Sequence, residues 1–293
     1  MIKVDFNAMV ERAMTTPDRA QMRPVIEKEL LHYDILFSLD KEGLLDPLTF
    51  QGGTSLRLCH GSPRFSEDLD FAGGPDFAGR QLKAIKSCVE HYVGQRYDLE
   101  VSVKEPAELK GEADYAGLTV DKWQIAVVTA PRRRDLPKQR IKVEVANIPA
   151  YSREPRPLLV NYDFLPDGYG DTLIITETLD EVMADKLISL VNTVRYVRHR
   201  DIWDLRWLKQ HGARPNLTWV RQKIRDYGIA DYPDKLAAMW QRLPDIVHGS
   251  QFRQEMARFI PTEVQERTLK KDKFYDFLVV EIRDLLQDLK RAL

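Results

Sequence analysis

A pair of adjacent glycines between two apolar segments constrains the fold of this chain more than any other sequence feature. An apolar segment at residues 48–50 is followed by Gly52, Gly53, Thr54 and Ser55, and a second apolar segment begins at Leu56. This order predicts a strand, a tight turn and the start of a helix. Because glycine has no Cβ, the backbone there can approach a bulky anion closely, and the amides of a helix N-terminus bind phosphate. The sequence therefore predicts a phosphate-binding turn, with the two hydroxyl residues at or near the helix cap.

Two carboxylates follow this turn about a dozen residues later, where Asp68 and Asp70 flank Leu69. In a strand, residues two apart face the same side, so both carboxylates are expected to point into one site. They repel each other unless a cation lies between them, and hard cations such as Mg²⁺ prefer oxygen ligands. Either motif taken separately is also compatible with an ordinary turn or an exposed strand edge. Their combination in this order favours nucleotidyl transfer, in which paired metal ions assist attack and the departure of pyrophosphate.

The two segments resemble the AbiEii branch of the DNA polymerase β-type nucleotidyltransferases. The family pattern is GG-[ST]-S-L, a spacer and [ST]-x-D-[ILF]-D, and the chain matches it without a gap through Ser66, Asp68 and Asp70. Members of this branch are toxins of bacterial toxin–antitoxin and phage-resistance systems. The resemblance implies transfer of a nucleotide from an NTP to RNA, notably to tRNA 3′ ends, with Mg²⁺ or Mn²⁺ as the cofactor. The resemblance is also compatible with a cognate antitoxin as a partner.

A third carboxylate is expected on a following strand of such a site. Residues 140–146 alternate polar and apolar side chains, which predicts a half-buried strand. Glu144 shares the polar face with Arg140 and Lys142, and we predict it as the third metal ligand. A strand with a merely solvated charged face would give the same alternation.

The segment 178–208 predicts two helices. Thr178 and a glutamate three residues later form a capping box, and apolar residues then recur at helical spacing. Lys186 borders this apolar stripe, where a lysine either snorkels to solvent or extends its ammonium into a site that holds a triphosphate. On the second helix, Asp201 and Asp204 are three residues apart and therefore share one face.

The same segment extends the family resemblance. AbiEii-like proteins carry D/Q-K-L on one helix and R-D-x-x-D-L on the next, which here read DKL at 185–187 and RDIWDL at 200–205. By resemblance, Lys186 binds the nucleotide phosphates and Asp204 completes the catalytic set. Asp201 either assists or only caps the second helix.

These residues form one predicted site with three roles. The catalytic residues are Asp68, Asp70, Lys186 and Asp204; the metal ligands are Asp68, Asp70 and Glu144; the nucleotide-binding residues are Gly52, Gly53, Thr54, Ser55, Arg64, Ser66 and Lys186. The glycine turn holds the leaving pyrophosphate, while Arg64 and Ser66 line the entrance. Replacing Asp68 or Lys186 with alanine is expected to abolish transfer and to leave the fold intact.

The net charge of −1 excludes bulk attraction to nucleic acid, so any RNA contact must come from local patches. Two basic runs are candidates: Arg132, Arg133, Arg134, Lys138, Arg140 and Lys142 in one, and Arg195, Arg198, His199 and Arg200 in the other. Each is equally compatible with a solvated face. We expect no membrane segment, because the sequence shows no signal-peptide core and no apolar stretch of ~20 residues. Cys59 and Cys88 are the only cysteines and lack a metal-type spacing, which favours a reducing cytoplasm. We also expect a monomer.

The order of elements predicts an α+β fold with two domains. Residues 1–175 are expected to form a polymerase β-like nucleotidyltransferase domain, a mixed sheet with flanking and N-terminal helices. Residues 176–293 are expected to form a helical bundle that contributes Lys186 and Asp204 to an NTP-binding cleft. Residues 153–170, rich in proline and glycine, are expected to be a loop or crossover.

Three functions compete on this sequence. The first is a toxin that transfers nucleotides to RNA, and the second is a transferase of the same fold that acts on a small molecule, as the aminoglycoside nucleotidyltransferases do. The latter generally show a single Gly-Ser and lack the R-D-x-x-D-L helix. The third is a binding protein with a vestigial site, which the intact set of Asp68, Asp70, Lys186 and Asp204 disfavours.

Overall fold

The computed structural model of the 293-residue chain describes residues 3–109, 118–131, 137–193 and 196–292. Arg132, Arg133, Arg134 and Arg195 of the predicted basic runs lie outside these ranges. The described elements fall into two compact units, divided between Thr176 and Glu177.

The first unit contains one mixed sheet, which has seven strands among the described residues. The strands are β1 (Thr49–Gln51), β2 (Leu69–Ala72), β3 (Val101–Lys104), β4 (Val120–Val127), β5 (Gln139–Ala146), β6 (Glu154–Pro157) and β7 (Leu173–Thr176). Their order in the sheet is β3-β4-β5-β2-β1-β7-β6. The pairs β2–β5 and β1–β7 are parallel, and the other neighbours are antiparallel.

The central strands separate an apolar face from a charged one. Phe50 of β1 pairs with Phe71 of β2, which pairs with Val145 of β5. All three side chains are buried, and the two phenylalanine rings stack with centroids 4.9 Å apart. Because side chains alternate along a strand, the neighbouring row, which includes Asp70 and Glu144, faces the other side.

The prediction that residues 153–170 form only a loop or crossover was wrong, because Glu154–Pro157 form β6. This strand pairs with β7 alone and therefore ends the sheet. Pro155 and Pro157 have no N–H to donate, and proline is tolerated in an edge strand because one side needs no partner. Both prolines thus lie at the sheet edge.

Four helices and two short 3₁₀ segments accompany the sheet in the described part of the first unit. The helices are α1 (Phe6–Ala13), α2 (Arg23–Lys41), α3 (Gly52–Leu58) and α4 (Ile85–Tyr97), and the 3₁₀ segments are Gly79–Leu82 and Pro106–Glu108. The long helix α2 buries polar groups as well as apolar ones, each with a partner. Glu29 accepts from the Arg57 guanidinium at 2.7 Å, and Asp34 accepts from the Tyr97 hydroxyl at 2.6 Å.

The described part of the second unit is helical. It contains α5 (Leu179–Asn192), α6 (His199–Gln210), α7 (Leu217–Asp226), α8 (Tyr232–His248), α9 (Ser250–Ala257), α10 (Thr262–Arg267) and α11 (Asp272–Ala292). Thr178 caps α5, as predicted, because its hydroxyl accepts from the backbone N–H of Glu181 at 3.4 Å. The predicted α+β architecture, a mixed sheet with helices followed by a helical region, is confirmed.

Within the described ranges, no helix combines the length and apolar character that crossing a bilayer requires.

Candidate active site

The predicted strand and helix around the two glycines are present, with no residue between them. The glycine turn, which is Gly52 and Gly53 at the start of the helix, touches a predicted metal ligand. β1 ends at Gln51, and α3 begins directly at Gly52, whose φ is +77°. An ideal Cβ on Gly52 would lie 2.6 Å from Oδ2 of Asp70. Glycine is therefore required at residue 52 for two reasons, its left-handed backbone and the carboxylate that lies against it.

Gly53 allows a second close approach. A Cβ there would overlap Nη2 of Arg64 and lie 2.9 Å from Oγ of Ser66. Arg64 is only 2% exposed, and its Nη1 donates to the backbone carbonyl of Phe65 at 2.7 Å. The two predicted nucleotide-binding residues thus converge on the glycine turn, but the Arg64 guanidinium is buried beside Gly53 rather than open to solvent.

The two hydroxyl residues after the glycines are buried. The Thr54 hydroxyl donates to the backbone carbonyl of Asp68 and so ties α3 to the segment before β2. Ser55 is fully buried, and its Oγ has no hydrogen-bond partner among the described residues. The groups of this turn suited to bind phosphate are therefore the backbone amides of Gly52 and Gly53.

Asp68 lies one residue before β2, and its position depends on the neighbouring strand. The backbone N–H of Lys142 in β5 donates to Oδ1 of Asp68 at 3.1 Å. Asp70 is the register partner of Glu144 in the parallel pair β2–β5. The predicted carboxylates thus come together on one face of two adjacent strands, as side-chain alternation requires.

Glu144 also has cationic neighbours. Lys122 of β4 is its antiparallel register partner, and the Lys122 ammonium lies 3.5 Å from Oε1 of Glu144. The Lys142 ammonium lies 3.9 Å from the same oxygen. These lysines offset part of the negative charge that Asp68, Asp70 and Glu144 bring together.

Helix α2 holds the residue that precedes Asp68, a contact that sequence reasoning missed. The Lys28 ammonium lies 2.8 Å from Oε1 of Glu67, and Nε2 of His32 lies 3.0 Å from the Glu67 carbonyl oxygen. Burial lowers the pKa of His32 to about 4, so the neutral ring donates this hydrogen bond through Nε2–H. The available signal was the spacing of Lys28 and His32, four residues apart on one helix face.

In the second unit, Lys186, Asp201 and Asp204 form a buried cluster. The Lys186 ammonium lies 2.7 Å from Oδ1 of Asp201 and 3.1 Å from Oδ2 of Asp204, and Ser189 donates to Oδ2 of Asp201 at 2.6 Å. The alternative that Asp201 caps its helix was wrong, because α6 begins at His199 with Arg198 as the cap residue. Asp201 instead binds Lys186 from within the first turn.

A second ionic cluster in this unit was not predicted. Oxygens of Glu177, Glu181 and Asp185 lie within 4.8 Å of one another, as ligands of a metal could. However, the Lys223 ammonium lies 3.3 Å from Glu177, 2.9 Å from Glu181 and 2.9 Å from Asp185. Since an ammonium already binds all three carboxylates, we assign this cluster a structural role and not a metal site.

The charges in this cluster shift one another's pKa. Burial, and then repulsion from Asp185, raises the pKa of Glu177 well above its ordinary value. Burial opposes the charge of Lys223, but the attraction of Asp185 and Glu177 outweighs it, so the pKa of Lys223 is also raised. The signal in the sequence was the four-residue spacing of the three acids.

The family comparison identifies the class of this protein. The model of the nucleotidyl transferase AbiEii toxin family, of type IV toxin–antitoxin systems, matches residues 34–280. The chain belongs to the AbiEii family. The predicted resemblance is thereby confirmed, and the chain is a nucleotidyltransferase toxin of a type IV toxin–antitoxin system, which implies an NTP substrate and a cognate antitoxin.

Two solved structures resemble the chain at low sequence identity. MenT4, a nucleotidyltransferase toxin from Mycobacterium tuberculosis, is 18% identical with a TM-score of 0.58, over 98% of this chain and 90% of that one. JHP933 from Helicobacter pylori is 17% identical with a TM-score of 0.49, over 91% of this chain and 92% of that one. The likeness to MenT4 shows the fold alone. A comparison with curated protein sequences finds no match.

Proposed function

We propose that this AbiEii-family chain transfers a nucleoside monophosphate from an NTP to an RNA acceptor, the 3′ end of tRNA, with Mg²⁺ or Mn²⁺. The observation that carries this proposal is the register of Asp70 with Glu144, next to the backbone of Gly52. It joins a carboxylate pair to a glycine turn, the two components that nucleotidyl transfer needs.

The donor atoms on the sheet fit a hard divalent cation. Asp68, Asp70 and Glu144 would hold it, since all three offer carboxylate oxygens from adjacent strands and such cations prefer oxygen. When bound, the ions would lower the barrier to attack on the α-phosphate and stabilise the departing pyrophosphate. Lys122 and Lys142 offset part of the charge of Glu144.

The residues of the chain itself bind and orient the substrate. The amides of Gly52 and Gly53 donate to the phosphates that leave as pyrophosphate. Thr54 holds the backbone of Asp68, so its hydroxyl acts by positioning that carboxylate. Lys186 offsets phosphate charge, and Asp201 and Asp204 hold its ammonium in place.

The test is transfer of each α-³²P-labelled NTP to total bacterial RNA in the presence of Mg²⁺. We expect label on a band of tRNA size, lost on adding EDTA and lost in Asp68→Asn. Asp76→Asn is the matched control, because Asp76 is an exposed aspartate on the loop after β2. It should label RNA as the wild type does.

Two results would contradict the proposal. Label on RNA that persists in Asp68→Asn would remove the sheet carboxylates from the chemistry. Label that appears only on added small hydroxyl or amino compounds, with RNA unlabelled, would instead favour the small-molecule transferase.

A further inference from the structure

Arginines and aromatic rings meet around the first turn of α6, on a part of the second unit that the proposed chemistry does not use. We call this set the arginine–aromatic patch: Tyr196, Arg198, Arg200, Arg258 and Phe259. Arg198 and Arg258 are exposed, Arg200 is half-buried, and Tyr196 is 63% exposed. Tyr196 therefore presents most of its ring to solvent, whereas Phe259 is buried beneath the arginines.

The guanidinium groups of the patch lie against the rings. The Cζ of Arg198 is 5.8 Å from the centre of the Tyr196 ring. The Cζ atoms of Arg200 and Arg258 are 5.0 and 5.4 Å from the centre of the Phe259 ring. Cations within about 6 Å of an aromatic ring are attracted to it, so the rings help to hold the guanidinium groups at the surface.

One carboxylate offsets part of this positive charge. Nδ1 of His199 lies 2.7 Å from Oε2 of Glu255, and Nε of Arg200 lies 3.6 Å from Oε1. The hydrogen bond from His199 lowers the pKa of Glu255, with Arg200 and Arg258 adding to the effect. Glu255 thus anchors Arg200 between α6 and α9, whereas Arg198 and Arg258 remain at the surface.

The patch has the chemistry that binds single-stranded nucleic acid. Exposed aromatic rings stack on unpaired bases, and guanidinium groups bind phosphate oxygens. The chain as a whole has a net charge of −1, so a local excess of arginine is one means of attracting RNA. Arg200 directly precedes Asp201, which binds Lys186, so the patch adjoins the Lys186 cluster on the same helix turn.

We propose that the arginine–aromatic patch binds the unpaired end of the acceptor RNA, an inference that rests on the proposed function. Tyr196 stacks on a base, and Arg198 and Arg258 contact phosphates. A duplex offers no free base face within its stack, so recognition through Tyr196 requires a single-stranded segment.

The test measures binding of fluorescent bacterial tRNA to the whole chain, without NTP, over a range of salt concentrations. We expect the double variant Arg198→Ala/Arg258→Ala to weaken binding at least tenfold. It should also flatten the slope of log K against log salt by about 1.4, because each phosphate contact to a single strand contributes about 0.7. Tyr196→Ala should weaken binding roughly tenfold, and Tyr196→Phe should restore it.

Controls separate binding from folding. Arg198 makes no side-chain capping bond to α6, so its removal should leave the helix intact, and melting temperatures should match the wild type. Arg242→Ala, at an exposed arginine of α8, should bind tRNA normally with an unchanged salt slope apart from any general charge effect.

The proposed function and the patch inference can be contradicted separately, because tRNA binding and nucleotide transfer are measured in different assays. If the wild type binds tRNA through the patch but labels no RNA, the proposed function fails and the patch inference stands. If the wild type labels RNA and the patch variants keep their KM for RNA, the patch inference is overturned. Variants that bind tRNA normally but escape neutralisation by an acidic antitoxin protein would also overturn it, in favour of a protein partner.

Discussion

Oδ2 of Asp70 lies only 2.6 Å from the position that a Cβ on residue 52 would occupy. The glycine turn and the carboxylate strand are thus in contact because Gly52 has no side chain. Sequence motifs some distance apart in the chain become one site through this contact.

We expect Gly52→Ala to reduce nucleotidyl transfer at least 100-fold, because the new methyl group displaces the Asp70 carboxylate. The positive φ adds a stability loss of about 1 kcal/mol. Gly74→Ala is the matched control, since Gly74 has a φ of +87° but nothing within 4 Å of its Cβ position. It should lose similar stability in urea unfolding and keep its activity; equal activity loss in both variants would contradict the steric explanation.

Lys186 should behave differently from Asp68 when it is replaced. The side chains of Asp201 and Asp204 are 4% and 0% exposed, and the Lys186 ammonium neutralises them. We therefore expect Lys186→Met to abolish transfer and also to lower the free energy of unfolding by about 3 kcal/mol.

A double-mutant cycle checks that expectation. Adding Asp201→Asn to Lys186→Met should recover part of the lost stability, because it removes one uncompensated charge. Denaturant unfolding measures each step. Additive losses would show that the two residues do not interact in solution.

Lys223 should be among the residues of the second unit most important for stability. Its side chain is 1% exposed and contacts three carboxylates, so Lys223→Met should lower the free energy of unfolding by about 3–5 kcal/mol. Glu177→Gln should cost far less, because burial and the repulsion from Asp185 disfavour the charged form of Glu177, and glutamine replaces it with a neutral side chain of the same size. Comparable losses of unfolding free energy in the two variants would contradict this expectation.

His32 should make stability fall in weak acid. Burial lowers its pKa from the ordinary 6.5 to about 4, so the unfolded chain binds a proton between these values that the folded chain does not. The contribution of neutral His32 to the free energy of unfolding is fully present above pH 6.5. It is lost as the pH falls towards 4, by at most about 3 kcal/mol.

Urea unfolding at a series of pH values measures this effect. His32→Gln should flatten the pH dependence between 6.5 and 4, whereas His91→Gln, at an exposed histidine, should leave it unchanged. An unaltered slope in His32→Gln would assign the acid sensitivity to other groups.

Much of the candidate site could be predicted because it depends on residues that are close together in the sequence. The strand, turn and helix around Gly52 follow from the chemistry of adjacent residues, and so does the Thr178 cap. Side-chain alternation placed Glu144 on a charged strand face, and the structure pairs it with Asp70. The edge strand β6 was missed because two prolines in four residues favour a turn. Only the tertiary structure shows that this segment pairs on one side alone, where proline is tolerated.

The sequence by itself determined the family, the succession of a sheet region and a helical region, and the candidate carboxylates, because these are carried by spacing along the chain. Only the tertiary structure decided the partners of buried polar groups. It made Thr54 a support for Asp68, made Asp201 a ligand of Lys186, and set Lys223 among three acids, one of them 46 residues away. A buried charge must find a partner wherever packing supplies one, and residue spacing does not encode which distant side chain that will be.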